Sequence, residues 1–227
     1  MMTGRPVETH PEPFGDDLAC LLAEFDWGNA RCRRLGAQRL LLDLEEETNN
    51  ATPPRNRRRI ARKLRRSIPV LRRTEDAKRG FIDARLALNR NGGPTLGLDV
   101  IQDECGLTPF ERTVLLLGCL AAAGEEYAGA LDQIGSRTFF GGALCVETCW
   151  NYAEMSAGDR LESLPMFLPS GSLVRNGLVE CCRPTVTPAS LPSTTLEVTP
   201  QAFARLTGIV EFEAINSGEL WPGQEMS

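Results

Sequence analysis

From position 16 the apolar residues fall at helical spacing: Leu18, Leu21, Leu22 and Phe25, then Cys32, Leu35, Leu40, Leu41 and Leu44. Steps of three and four place them along one side of a helix. The pattern predicts one long or broken helix to about Glu47, with Gly28 and Gly36 as weak points, closed by the loop Asn49-Asn-Ala-Thr-Pro-Pro54. A second stripe, Ile60, Leu64, Ile68 and Leu71, runs at i,i+4 through residues 55–73 and predicts an amphipathic helix interrupted near Pro69. A short helical stretch around Phe81 to Leu88 follows. It ends at Asn89-Arg-Asn-Gly-Gly-Pro94, the clearest domain boundary in the chain.

Beyond Pro94 the pattern changes. Leu96, Leu98, Val100, Ile101 and Cys105 predict a short helix ending at Gly106. Next, Thr108-Pro109-Phe110-Glu111 has the chemistry of a helix start: a hydroxyl cap, proline at the first position, and a glutamate that returns its carboxylate to the cap. The helix it opens, through Ala123, is apolar nearly all round and is expected at the centre of the core. Tyr127, Leu131 and Ile134 predict a further turn. A helix from Ala143 to about Glu154 and a helical stretch near Asp159 to Phe167 come next. Residues 173–180 read as a strand, 183–194 as a Pro/Ser/Thr loop, 195–198 as a second strand, and Thr199-Pro200 as a capped helix start. Helices, strand, loop, strand, helix is the element order of a winged helix. The expected fold is mainly α with a small β wing, an α+β winged helix preceded by a helical arm. The expected organisation is a disordered tail (1–13), the arm (14–90), the winged helix (91–210) and a C-terminal tail (211–227).

Charge divides the same way. The chain's net −5 averages −5 over residues 1–50, +11 over 51–90 and −11 over 91–227. Residues 55–73 carry ten basic and no acidic side chains. Three readings of this belt are open: it grips phosphates, with Arg57, Arg58, Arg59, Arg62, Lys63, Arg65 and Arg66 as the candidate contacts; it lies on an anionic membrane face with its apolar stripe inserted; or it packs that stripe on the first helix and faces water or the acidic clusters Asp16-Asp17 and Glu45-Glu46-Glu47.

Candidate chemistry is sparse. The one histidine, His10, sits in a proline-rich start, so histidine-dependent nucleophilic sets have no material. Eight cysteines include no C-x-x-C, and histidine cannot complete a zinc set, so the i,i+4 pair Cys145/Cys149 and the adjacent Cys181-Cys182 are weak metal signals. Cys20, Cys119, Cys145 and Cys149 lie in apolar segments, as small buried hydrophobes do. The N-terminus lacks a signal-peptide core and no apolar run approaches the ~18 residues of a span, so the sequence reads as cytoplasmic. No cofactor, metal or catalytic residue is expected.

Leu107-Thr-Pro-Phe-Glu-Arg-Thr-Val-Leu-Leu-Leu117, Gly124-Glu-Glu-Tyr127, Ser172-Leu-Val-Arg-Asn-Gly-Leu178 and Leu196-Glu-Val-Thr-Pro-Gln-Ala-Phe203 together resemble the winged-helix N-terminal domain of a group of bacterial AAA-type ATPases. The resemblance covers about residues 96–208 and implies an adaptor or substrate-recognition role. The chain has no G-x-x-x-x-G-K-[ST], which implies an excised N-terminal region or a stand-alone relative without the motor. As a recognition helix, 143–154 offers Glu147, Asn151 and Glu154, with no Lys or Arg between Arg137 and Arg160, and the wing adds Arg175 and Arg183. Base edges and phosphates call for the opposite charge. The expected function is therefore a non-catalytic adaptor module contacting protein through Glu147, Asn151, Glu154 and Arg175, its partner an AAA-type ATPase or that ATPase's substrate. The alternative is a nucleic-acid-binding regulator working through the belt.

Overall fold

The computed structural model describes residues 11–50, 54–135, 144–182 and 188–208. The proline-rich start with His10, the Ser136–Gly142 segment, Ala143, the loop residues 183–187 and the tail beyond 208 lie outside the described residues.

Two long helices form the arm: α1 (Asp17–Asn50) and α2 (Arg55–Arg90) pack against each other as a hairpin. Asp16 starts α1 by accepting the Ala19 N–H at 2.7 Å. Neither expected weak point breaks it. Gly28 lies under the Tyr152 hydroxyl and Leu120, and a β-carbon on Gly36 would stand 2.9 Å from Cβ of Gln133. Gly36 lets the arm approach the rest of the molecule more closely than a β-carbon allows, whereas at Gly28 the neighbours stand at ordinary contact distance. In α2 the stretch expected at 81–88 is instead the end of one uninterrupted 36-residue helix. Pro69 sits inside it at an exposed position, and packing of Leu64, Ile68 and Leu71 toward α1 carries the helix across the lost hydrogen bond.

The connection after α2 is pinned by Asn89, whose amide accepts the Phe14 N–H (2.8 Å) and donates to the carbonyls of Phe14 (3.0 Å) and Pro94 (2.9 Å). Phe14, Cys20, Ile82, Leu86 and Leu96 form a small apolar cluster beside it. Then come α3 (Gly97–Cys105), ended by Gly106 in the left-handed conformation at φ 63°, and α4 (Pro109–Ala122). The α4 start is a full capping box: the Thr108 hydroxyl accepts the Glu111 N–H at 3.2 Å, and the Glu111 carboxylate accepts the Thr108 N–H at 2.9 Å. Val114, Leu115, Leu117, Cys119 and Leu120 of α4 are buried in the main core, which also takes Phe25, Cys32 and Leu35 of α1, Leu131 and Ile134 around α5 (Glu125–Asp132), and Val146, Cys149 and Trp150 of α6 (Val146–Tyr152).

Helix α6 begins later than expected. Leu144 and Cys145 are extended, because the Leu144 carbonyl accepts the Leu196 N–H (2.8 Å) and the Thr194 carbonyl accepts the Val146 N–H (3.2 Å). A second capping box, Ser156 with Asp159, starts α7 (Ala157–Ser163), which continues as the 3-10 turn Leu164–Phe167. The strand expected over 173–180 does not start until Val179. Ser172–Arg175 is a one-turn helix, α8, closed by local hydrogen bonds from the Arg175 and Asn176 N–H groups to Gly171 and Ser172. Gly177 at φ 62° makes the turn, and the strand is β1, Val179–Cys182. It pairs antiparallel with β2 (Thr195–Val198), Val179 opposite Val198 and Cys182 opposite Thr195. Cys145 bridges the other edge of β2. Helix α9 (Pro200–Thr207) closes the fold, its first turn capped by Thr199 as the sequence predicts.

Candidate functional site

Three surfaces hold the candidate residues: the outer face of α6, the approach to the wing, and the belt on α2.

The polar side chains of α6 look toward the arm. Arg34 of α1 has a side chain only 3% exposed and donates to both Glu75 of α2 and Glu154 just past α6 (2.8 Å to Glu154). Arg31 adds contacts to Glu75 (2.9 Å), Glu154 (3.2 Å) and the Tyr152 carbonyl (3.0 Å), its guanidinium stacked 5.1 Å from the Tyr152 ring centre. Two arginines and two glutamates thus clasp α1, α2 and the end of α6. Glu154 adopts φ 54°, a backbone region costly for a side chain with a β-carbon, and its carboxylate secures the clasp. The Arg34 hydrogen bond, more than offsetting burial, holds the Glu154 carboxyl below the usual carboxylate range. For Arg34, burial alone would lower the guanidinium; the hydrogen bonds to Glu154 and Glu75 outweigh it and raise it further.

Asn151 is equally committed, donating to the Ile134 carbonyl (2.9 Å) and accepting from Arg160 (3.0 Å). Glu147, half-buried, makes no ion pair among the described residues. These three residues do come together, lining an open cavity of about 480 Å³ whose other wall is α1: Leu35, Gln38, Arg39 and Leu42, with Ile134, Met155 and Arg160 at its ends. Arg175 is exposed on α8 and does not reach the cavity. The α1 wall was not among the residues read from the sequence as functional. Its signal was Leu42, an apolar residue 59% exposed at the acidic end of the arm.

Near the wing, the helix that leads into β1 is α8, four residues long with Arg175 as its one cation. A single turn is too short to lie along a major groove as a recognition helix does.

On the belt, Leu64, Ile68 and Leu71 are half-buried against α1, whereas Arg57, Arg58, Arg59, Arg62, Lys63, Arg65 and Arg66 are exposed. Arg65 pairs with Glu45 at 2.7 Å and Arg59 contacts Asn56 at 3.3 Å. Asp16 and Asp17, the other acidic cluster proposed to face the belt, are used elsewhere: Asp16 caps α1, and Asp17 accepts the Gly97 N–H at 2.5 Å.

Buried thiols are held protonated. Burial pushes Cys20, Cys32 and Cys119 each up to about 12, and Cys149 upward as well. Among the described residues no group of three or more His, Cys, Asp or Glu side chains gathers as a metal site, and no helix is long and apolar enough to cross a membrane.

Against known families, the profile of the family described as "Winged helix domain, variant" matches residues 2–216. The chain belongs to that winged-helix family. The match includes the arm, so α1 and α2 fall within the family's own extent rather than outside it. No curated protein and no solved structure matches the chain.

Proposed function

We propose that this winged helix is a non-catalytic adaptor that recognises a protein partner, an AAA-type ATPase or that ATPase's substrate, in the bacterial cytoplasm. The observation that carries this reading is the fate of α6: its polar face opens on the cavity shared with α1, whose two arginines are engaged within the protein, Arg39 with the Ile134 and Gly135 carbonyls and Arg160 with Asn151 and the Met155 carbonyl. The occupant that fits is a short peptide segment of the partner, one apolar side chain against Leu35, Leu42 and Met155 and a basic group beside Glu147. Asn151 and Glu154 shape the wall, and Arg175, exposed on α8 outside the cavity, is a separate candidate contact. The −11 over residues 91–227 supports a protein partner, since it repels a phosphate backbone. The relation to AAA-type ATPases rests on the Leu107–Leu117 and Leu196–Phe203 motifs.

The test is affinity capture from cell extract with and without nuclease, using the wild-type chain and the groove variant Leu42→Arg. An AAA-type ATPase or its substrate retained after nuclease and lost with Leu42→Arg supports the proposal. Capture abolished by nuclease and indifferent to Leu42→Arg overturns it.

A further inference from the structure

The belt's exposed face is used by neither the fold nor the cavity. By helical spacing, Arg55, Arg58, Arg59, Arg62, Lys63, Arg66 and Arg73 fall on the side of α2 opposite Leu64 and Ile68, which are turned to α1. At a rise of ~1.5 Å per residue, this ladder extends about 27 Å, with a cation at every turn from Arg55 to Arg66 and a step of two turns from there to Arg73. The side chains of Arg58, Arg62, Lys63, Arg66 and Arg73 are exposed and have no hydrogen-bond or ion-pair partner among the described residues. No acidic side chain occurs between Arg55 and Thr74 to neutralise the ladder from within its helix. On α1 alongside, Glu45 is taken by Arg65.

The structure separates the occupants that the sequence leaves open. A membrane surface needs the apolar stripe for insertion, and that stripe faces α1; Val70 (60% exposed) and Ile60 (37%) are the large apolar side chains left outside. A single nucleic-acid strand calls for a series of aromatic platforms on which bases stack, and α2 offers one exposed ring, Phe81, two turns beyond the last cation of the ladder and with Arg85 over it at 5.5 Å. What remains is a rigid row of cations, nine of the belt's ten being arginine, whose planar fork suits phosphate oxygens. A duplex offers phosphates at ~3.4 Å of axis per strand, dense enough for each step of the ladder to find one.

We infer that the outer face of α2, through Arg58, Arg62, Lys63, Arg66 and Arg73, binds the phosphate backbone of double-stranded nucleic acid without reading its sequence. The site is on the opposite side of the hairpin helix from the α1 contact and does not depend on the adaptor reading. It gives the molecule two partners: a polyanion on the arm and a protein at the cavity.

The test uses the full chain and fluorescence anisotropy of two labelled 20-base-pair DNA duplexes of unrelated sequence, titrated between 50 and 200 mM salt. Both duplexes should bind with the same affinity, and five phosphate contacts give log K against log salt a slope of about −4.5. The triple variant Arg58→Glu, Arg62→Glu, Arg66→Glu should lose at least about tenfold in affinity and about three units of slope, while the corresponding triple lysine variant keeps the slope. All three positions are exposed, and unchanged circular dichroism and melting verify that the variants fold. A single-stranded oligonucleotide of equal length and vesicles containing anionic lipid are the competing probes. Duplex binding that survives the glutamate variant, differs between the two sequences, or is weaker than binding to the single strand or the vesicles overturns the inference.

Discussion

Glu154 is where one residue's chemistry bears most on the molecule. Its positive φ and its two arginine partners tie the end of α6 to the arm, and the Arg34 hydrogen bond holds its carboxyl below the usual carboxylate range. A lowered folded value means that the ionised form stabilises the fold. The contribution is complete above the unfolded carboxylate value of ~4.3 and is lost as pH falls through the folded one. Melting temperature measured against pH should therefore place Glu154→Gln below the wild type at neutral pH, with the gap closing as the solution is acidified below about pH 4. A gap independent of pH would assign the loss to shape rather than charge. Glu75 is the harsher position. Buried between Arg31 and Arg34, its change to Gln leaves two guanidiniums short of a counter-charge and should cost about 3–5 kcal/mol.

At the level of elements, what the chain declares locally and what it does not are divided by sequence separation. The α4 capping box joins Thr108 and Glu111, three residues apart, and α9 is capped by the Thr199 hydroxyl alone, which accepts the Ala202 N–H; both were legible because every partner lies within one turn. The extended Leu144-Cys145 pair was not, since its conformation is set by Thr194 and Leu196, some fifty residues on. The strand expected at 173–180 failed for a related reason: Leu173, Val174, Leu178 and Val179 are compatible with either period, and only Gly177 marks the switch from turn to strand. The glycines of the arm hairpin differ in the same sense. Gly36 faces Gln133 at a distance no β-carbon tolerates, while Gly80 on α2 meets nothing within 4 Å. Chemical denaturation should find Gly80→Ala more stable by about 0.5–1 kcal/mol, and Gly36→Ala less stable despite the same gain in helix propensity. Equal and positive effects at both sites would show that α1 does not press on α5 as described.

Seen whole, the protein is a winged helix whose arm packs through α1 on α4, α5, α6 and α9. The helices of the arm and the two-stranded wing near the end of the chain were each legible in the sequence, from periodicity and capping. Their union was not: the clasp joins positions 31, 34, 75 and 154, and no periodicity relates residues so far apart. The same union fixes where partners fit. It leaves a cavity between α1 and α6, the place of the proposed recognition, and it turns the belt's apolar stripe inward so that its cations form a separate outer face. The proposed adaptor role requires that the cavity between α1 and α6 meets protein. A photo-crosslinking side chain at Leu42, which lines the groove and is exposed, tests it most directly inside cells. The account predicts an adduct with an AAA-type ATPase or its substrate, unchanged by nuclease and absent when the crosslinker is moved to Leu161 on α7. A nucleic-acid adduct at Leu42 would contradict it.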